Sequence, residues 1–227
     1  MENNLENDQF SSVPTDTSTL YPAEDGQPMS VSDLHREQMV WTIDALKTHF
    51  SQDPTVYVSG DILMYYVKGS PEISIAPDVL VSYGLGKKPR QTYLVWEEGK
   101  PPDFVMEFSS KRTFRKDLTD KKDIYASLNI KDYILYDAEG IYLTTPLIGF
   151  ELVDGNYKEI TPDADGGIHS STLNLDFHIR EEGLGIFDPE TNEWVKTRAE
   201  IAEEKLKIAE AEVAELREQL TRLQADS

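Results

Sequence analysis

One short segment, FVMEFS at residues 104–109, restricts the fold more than any other part of the sequence. It is apolar on both faces of a strand, which is typical of a strand in the middle of a sheet that is covered on both sides. Other β-rich runs, separated by Gly or Pro, lie at residues 56–59, 62–67, 73–82 and 133–137. We predict that these runs form adjacent strands of one sheet.

Two helices are predicted to accompany these strands. Asp33 can cap a helix whose apolar residues step by four, three and four, namely Met39, Ile43, Leu46 and Phe50. A second helix is predicted at about residues 117–128, with Asp117 in the first turn, where a carboxylate favours the helix dipole. This order of elements predicts an α/β fold, with a mixed sheet flanked by helices and with β-hairpins added over residues 141–187.

The two ends of the chain differ from this core. Residues 1–30 contain no Lys or Arg and few apolar residues, so they are predicted to be a disordered acidic arm. The globular domain is assigned to residues 31–190. Residues 191–227 are predicted to be a long helical tail.

The tail carries an uninterrupted heptad pattern. Its apolar residues step alternately by four and three, at positions 195, 199, 202, 206, 209, 213, 216, 220 and 223. In a parallel dimer the g and e′ positions would pair opposite charges, Arg198 with Glu203, Lys205 with Glu210, and Glu212 with Arg217. The pattern predicts a homodimer through a coiled coil. A solitary solvated helix is the alternative, because several seam residues are alanine and exposed ion pairs contribute little.

Composition excludes several classes of protein. The 227 residues include no Cys, which excludes a disulfide-stapled secreted protein and a Cys-ligated zinc domain. We expect a cytoplasmic protein that does not enter the membrane, because no run approaches the ~18 apolar residues of a spanning helix and no secretory signal is visible. The formal charge, 22 − 42 = −20, argues against a general polyanion binder. Basic residues are nevertheless concentrated at residues 87–122.

Two carboxylates occupy apolar strands and therefore need a partner. Asp78 follows Pro77 and opens the run VLV, and Glu107 lies inside FVMEFS. One interpretation is a Mg²⁺ or Mn²⁺ site, since these ions take oxygen ligands and are bound through one or two carboxylates plus substrate phosphate. The other is that each acid caps a turn or pairs with an arginine at a strand end. The four histidines, at positions 35, 49, 169 and 178, form no i,i+4 metal pair and are predicted to be helix-surface or strand residues.

A lysine on the second predicted helix strengthens the first interpretation. Leu118, Lys121, Tyr125 and Leu128 step by three, four and three, so Lys121 should face the sheet while Lys122 turns toward its edge. A lysine on that face needs an anionic partner, unless its ammonium extends past the apolar surface to water.

Taken in order, these motifs match a known pattern. They are Pro77-Asp78, Glu107-Phe108-Ser109-Ser110, TFRKD at residues 113–117, Asp117-x-x-x-Lys121-x-x-x-Tyr125 and DYILYD at residues 132–137. Over about residues 30–190 the chain resembles the Uma-type family of restriction-endonuclease-like proteins, which belongs to the PD-(D/E)XK nuclease superfamily.

The resemblance implies specific roles. Asp78 and Glu107 match the superfamily's metal-binding acids, whereas its usual lysine is replaced by Ser109. Lys121 is then the candidate for a migrated catalytic lysine, and Asp61 falls where the family often carries an acid, in an earlier strand.

The predicted function is therefore a Mg²⁺- or Mn²⁺-dependent endonuclease that hydrolyses DNA phosphodiester bonds. Asp78, Glu107 and Lys121 would be catalytic, with Asp61 as an additional metal ligand. The phosphates that flank the scissile bond would be bound by Lys111, Arg112, Arg115 and Lys116. The alternative is that these residues form only a solvated loop. The alternative function is a catalytically inactive nuclease fold kept as a binding or assembly module.

Overall fold

The computed structural model describes residues 21–22 and 32–225. The predicted acidic arm therefore lies outside the described residues except at Tyr21 and Pro22. These two contact the globular part: the Tyr21 ring lies 5.1 Å from the Tyr65 ring, and the Tyr65 hydroxyl donates to the Pro22 carbonyl at 2.6 Å.

The described residues form helices and three sheets. The helices are α1 (Asp33–His49), α2 (Val95–Glu98), α3 (Phe114–Leu118), α4 (Asp120–Ser127) and α5 (Arg198–Ala225). The strands are β1 (Tyr57–Ser59), β2 (Met64–Tyr65), β3 (Ser74–Ile75), β4 (Val79–Ser82), β5 (Tyr93–Leu94), β6 (Phe104–Phe108), β7 (Asp132–Tyr136), β8 (Leu147–Val153), β9 (Asn156–Glu159), β10 (Ile168–Ser170), β11 (Leu175–Arg180), β12 (Gly183–Asp188) and β13 (Glu193–Trp194). Within these residues, no helix combines the length and the apolar character that crossing a bilayer requires.

The main sheet has six strands in the order β1-β4-β6-β7-β8-β9. Its two central strands, β6 and β7, run parallel and are joined through α3 and α4, whereas the other neighbours are antiparallel. Every residue of β6 and β7 is buried, as the two-sided apolar pattern predicts. The predicted α/β fold, with its mixed sheet, added hairpins and long C-terminal helix, is confirmed.

Separate layers cover the two faces of the main sheet. On one face, Leu46 of α1 and Phe177 and Ile186 of the four-stranded sheet β10–β13 pack against Met106 and Phe108. On the other face, residues of α4 and of the small sheet β3-β2-β5 pack against Val105 and Leu135. The alternation of side chains along β6 therefore points Glu107 toward the α4 layer.

Two of the predicted strands differ from the observed ones. The run at residues 62–67 contributes only β2, and the run at residues 73–82 is divided into β3 and β4 around Pro77. β2 and β3 belong to the small sheet, so the prediction that all the runs are neighbours in one sheet is wrong. Pro77 has no N–H to donate to a ladder, which explains why the run divides there.

The helices also differ in detail from the prediction. The predicted helix at 117–128 begins earlier, at Phe114, and is interrupted at Thr119, where φ is −124° and ψ is −88°. The N-cap of α1 is Ser32, whose side chain accepts from the His35 N–H at 3.2 Å, so Asp33 lies in the first turn. β13 pairs with β12, so part of the segment assigned to the tail belongs to a sheet.

Candidate active site

The two predicted acids meet at one end of the main sheet. Glu107 is the last residue but one of β6, and Asp78 immediately precedes β4, the antiparallel neighbour of β6. The Phe108 N–H donates to Asp78 Oδ2 at 2.7 Å. Strand pairing therefore fixes the spacing of the two carboxylates, because both are attached to the same hydrogen-bonded ladder.

Lys121 reaches these acids from α4. Its Nζ lies 2.7 Å from Glu107 Oε2 and 3.1 Å from Asp117 Oδ1. Lys122 points elsewhere, with its Nζ 3.8 Å from the centroid of the Phe150 ring. The structure thus brings Asp78, Glu107 and Lys121 together, and Lys121 lies on the helix face that the residue spacing predicts.

A third buried carboxylate, Asp117, belongs to the cluster and is not predicted from the sequence. It was assigned only a place in a first helical turn, yet its side chain is fully buried and its Oδ2 accepts from the Ser109 hydroxyl at 3.1 Å. Among the described residues nothing donates a hydrogen bond to Asp117 Oδ1, so the nearby Lys121 ammonium is its main compensation. The i,i+4 spacing of Asp117 and Lys121 is the sequence pattern that indicates a contact between these two side chains.

Two further side chains complete the cluster. The Tyr125 hydroxyl donates to Glu107 Oε1 at 2.5 Å, so both carboxylate oxygens of Glu107 have a partner. His35, predicted to be a surface residue, is buried beside Asp78, with 3.8 Å between His35 Nε2 and Asp78 Oδ2. Burial lowers the pKa of His35. No local pattern in α1 signals this contact, because it depends on how the helix packs on the sheet.

The three carboxylates of Asp78, Glu107 and Asp117 lie around a single ammonium group, that of Lys121. Burial raises the pKa values of Glu107 and Asp78, and this excess of negative charge adds to the shift. Burial, together with the charges of Asp78 and Asp117, raises the pKa of Glu107 to about 8 although Lys121 opposes the shift. Burial raises the pKa of Asp78 to about 6. Burial alone would lower the pKa of Lys121, but the acids Glu107, Asp117 and Asp78 outweigh it and raise that pKa. The cluster therefore retains a proton near neutral pH, since one cation cannot neutralise three adjacent anions.

The cluster fits a divalent cation held by two carboxylates. Asp78 keeps 21% of its side chain exposed, whereas Glu107 keeps 1%, so solvent reaches the pair from the Asp78 side. Excess negative charge on hard oxygen atoms suits Mg²⁺ or Mn²⁺, which retain several water ligands. Across residues 21–22 and 32–225, no three His, Cys, Asp or Glu side chains are grouped to hold a metal together.

Asp61 does not lie inside a strand, where the sequence predicts it. It follows β1 in a bend, is exposed, and has a positive φ of 51°. The predicted position inside a strand is wrong, because the chain turns at Gly60 and the Asp61 N–H donates to the Pro77 carbonyl at 2.9 Å. Asp61 is thus next to the backbone that carries Asp78, but it is not part of a three-residue metal group.

A cleft of about 500 Å³ opens beside the cluster. Its wall includes His35 and Ser109, together with two of the four basic residues predicted to bind DNA, Lys111 and Arg112. The other two, Arg115 and Lys116, are exposed on α3 and do not line it. Ser109, the residue that the resemblance places where the superfamily usually has a lysine, is buried, and its N–H donates to the Tyr136 carbonyl at 2.7 Å.

Comparisons with known proteins identify a family that matches most of the chain. A family model described as "Uma2: Putative restriction endonuclease" matches residues 8–180, which confirms the resemblance read from the sequence. Among solved structures, the chain is similar to one titled a putative nuclease belonging to DUF820 from Anabaena variabilis. That likeness has 11% sequence identity and a TM-score of 0.47, and it covers 65% of this chain and 76% of the other. No curated protein matches the chain.

Proposed function

The chain belongs to the Uma2 family, described as putative restriction endonucleases, and from this membership we propose that it is a metal-dependent endonuclease that hydrolyses DNA phosphodiester bonds. The observation that carries the proposal is the convergence of Asp78, Glu107 and Lys121 at one end of the sheet. Two fixed carboxylates and one ammonium are a suitable set for phosphoryl chemistry, in which charge must be offset on the phosphate oxygens.

Each residue has a distinct role in this proposal. Asp78 and Glu107 would hold Mg²⁺ or Mn²⁺, which lowers the pKa of a water molecule and offsets charge on the phosphate. Lys121 orients the attacking water or stabilises the leaving oxygen through its ammonium group. Tyr125 and Asp117 position Glu107 and Lys121, because each contacts one of them inside the core.

The cleft beside His35 and Ser109 provides the route to these groups. Lys111 and Arg112 in its wall would contact phosphates that flank the scissile bond. Arg115 and Lys116, exposed on the neighbouring helix, would contribute longer-range attraction. The acidic chain can then bind DNA locally, because the phosphate contacts are concentrated at one place.

A cleavage assay tests the proposal. Supercoiled plasmid and single-stranded DNA would be incubated with the full chain and Mg²⁺ or Mn²⁺, and metal binding would be followed by calorimetry. The proposal expects metal-dependent cleavage by the wild type and none by Asp78→Asn, with Asp176→Asn as a control carboxylate outside the cluster. Absence of both metal binding and cleavage in a folded wild type would refute it.

One observation favours the rival function, an inactive nuclease fold used for binding. Both oxygens of Glu107 are already engaged, one by Lys121 and one by Tyr125, so a cation must compete for them. In this case the wild type would bind DNA without cleaving it, and Asp78→Asn would leave the affinity unchanged. The same plasmid assay, run beside a binding measurement, distinguishes the two functions.

We also propose that the tail forms a parallel homodimer. All residues from Ala202 to Gln224 are exposed, including seam residues Leu206, Val213 and Leu216 at 58%, 46% and 60%. The charges at the predicted g and e′ positions support a second copy as the partner. Four of the residues at these g and e′ positions form no ion pair along the helix within the described residues, namely Lys205, Glu210, Glu212 and Arg217.

Solution mass tests the dimer. Sedimentation of the full chain is expected to give twice the chain mass, and Val213→Asp is expected to reduce it to that of a monomer. Ile208→Asp is the control, because Ile208 is also an exposed apolar residue of the same helix, at 60% against 46% for Val213, but lies outside the seam. A monomeric wild type, or dissociation by both substitutions alike, would contradict the assignment.

A further inference from the structure

A second cleft, distinct from the one beside the acids, follows the outer edge of the main sheet. It has a volume of about 520 Å³, and its walls come from the end of α1, from β1, from the loop at 87–90 and from the start of α5. Its cationic wall residues are Lys47, Lys87, Lys88, Arg90 and Arg198. Within the described part of the chain, no Asp or Glu lines this wall.

Nearby acids offset only part of this charge. Asp44 Oδ1 lies 3.1 Å from Arg198, and Glu98 accepts hydrogen bonds from Arg90 at 2.8 Å. A hydrogen bond from Thr55 lowers the pKa of Asp53, and the charge of Lys87 adds to this effect. Five cations and three acids leave 5 − 3 = +2 here, whereas the whole chain carries −20. The cleft is therefore a positive surface on an acidic protein.

Two of the cations are available to a ligand. Lys47 is exposed and has no ion pair within the described residues, and Lys88 keeps 69% of its side chain exposed. Lys88 Nζ lies 3.7 Å from the Glu98 oxygen that Arg90 already engages. Lys87, by contrast, donates hydrogen bonds from its Nζ to the main-chain carbonyls of residues 50 and 51, at 2.7 and 2.9 Å. Its ammonium is therefore held in the wall of the cleft, and its charge is not neutralised by these carbonyls.

The floor of the cleft is an unpaired strand edge. β1 pairs with β4 on one side and has no strand on the other within the described residues. Such an edge carries unpaired main-chain N–H and C=O groups, and its N–H groups can donate to an anion. The strand also leads to the acid cluster, because the bend that follows it bonds to the residue before Asp78, from the Asp61 N–H to the Pro77 carbonyl at 2.9 Å.

We propose that this edge cleft binds successive phosphates of a DNA backbone and thereby aligns the duplex with the acid cluster. The inference rests on the proposed nuclease function and adds a second contact surface to the predicted basic segment at 111–116. Lys47 and Lys88 make the phosphate contacts, and the β1 edge supplies main-chain donors. A polyanion whose charges are spaced along a chain suits this cleft, since its cations come from three separate segments that meet at β1, namely the end of α1, the loop at 87–90 and the start of α5.

The test measures DNA affinity without cleavage. A fluorescent duplex and a single strand of the same sequence would be titrated with the full chain in EDTA at several salt concentrations, using anisotropy. The variant is K47S/K88S. The control is K68S/K158S, which removes the same charge from two exposed lysines outside the cleft.

The expected result is quantitative. K47S/K88S should weaken duplex binding about tenfold or more at about 0.1 M salt, and should reduce the slope of log K against log salt by about 1.8, because each phosphate contact contributes about 0.9. The control should change neither quantity. A wild type that binds neither DNA, an unchanged affinity and slope in K47S/K88S, or an equal loss in the control would each overturn the inference.

The same variants separate this inference from the nuclease function. A wild type that binds through the cleft but does not cleave with Mg²⁺ or Mn²⁺ contradicts the proposed activity and leaves the cleft assignment intact. Cleavage by a K47S/K88S variant with wild-type affinity contradicts the cleft assignment alone.

Discussion

Replacing Glu107 by Gln should change how the stability of the protein depends on pH. The substitution keeps the size of the side chain and an oxygen that can accept from Tyr125, but it removes the ionisable group. In the wild type the pKa of Glu107 is raised from its ordinary 4.5 to about 8, mainly by burial. Between these two values the folded chain binds more protons at this position than the unfolded chain does, so raising the pH destabilises the fold.

The size of the effect follows from the same two values. Stability associated with Glu107 is fully present below pH 4.5 and is lost as the pH rises through about 8. Each pH unit well inside this window costs about 1.4 kcal/mol of unfolding free energy, and the loss slows as Glu107 becomes half deprotonated near pH 8, so the change from pH 6 to 8 is roughly 2 kcal/mol. The contribution of Asp78, whose pKa is raised to about 6, is largely complete below this interval.

Urea unfolding in EDTA at pH 6, 7 and 8 measures this difference. The wild type should lose roughly 2 kcal/mol relative to Glu107→Gln across the interval. Glu159→Gln, which changes an exposed carboxylate on β9, should behave like the wild type. The comparison cancels the titration of the histidines outside the cluster, because all three proteins contain them. Parallel curves for the wild type and Glu107→Gln would refute the view that this buried acid retains a proton.

Two further substitutions test the site and its supporting backbone. Lys121→Met should abolish DNA cleavage while keeping the affinity for duplex DNA, whereas Lys122→Met should keep cleavage. Plasmid cleavage measures the activity, and anisotropy measures the affinity. Loss of cleavage in Lys122→Met but not in Lys121→Met would contradict the orientation of α4. Gly60→Ala should destabilise the fold by about 1–3 kcal/mol in urea unfolding, because its Cβ would lie 1.9 Å from the Asp78 carbonyl oxygen. Gly86→Ala, which meets no atom within 4 Å, is the control, and an equal effect of both substitutions would contradict this reasoning.

Much of the core could be predicted from local patterns. The two-sided apolar runs of β6 and β7 require burial on both faces, and the structure buries both. The step of apolar residues in α1 predicts its packing face, and Leu46 is fully buried there. Helical spacing also orients Lys121, because the interruption at Thr119 lies before Lys121 and leaves the spacing from Lys121 to Tyr125 intact.

The missed features depend on long-range packing. β2 carries the same kind of apolar sequence as a main-sheet strand, but its pairing with β5 is decided by residues some thirty positions away. His35 becomes buried only because α1 crosses the end of the sheet beside Asp78. Asp117 looks like an ordinary helix-start acid until the chain breaks at Thr119 and turns it inward. Local residue spacing does not indicate the first two of these features, and for Asp117 it indicates only the i,i+4 pairing with Lys121.

The first helix has a mechanical consequence. His35, near its beginning, lies beside Asp78, and Asp44, nine residues further on, holds Arg198 at the base of α5. Trp41, between them, donates to Glu200 at 3.1 Å. A single rod of 17 residues, about 25 Å long, thus connects the acids to the base of the tail. The acid cluster and the base of the tail are therefore held in register by contacts to one and the same helix.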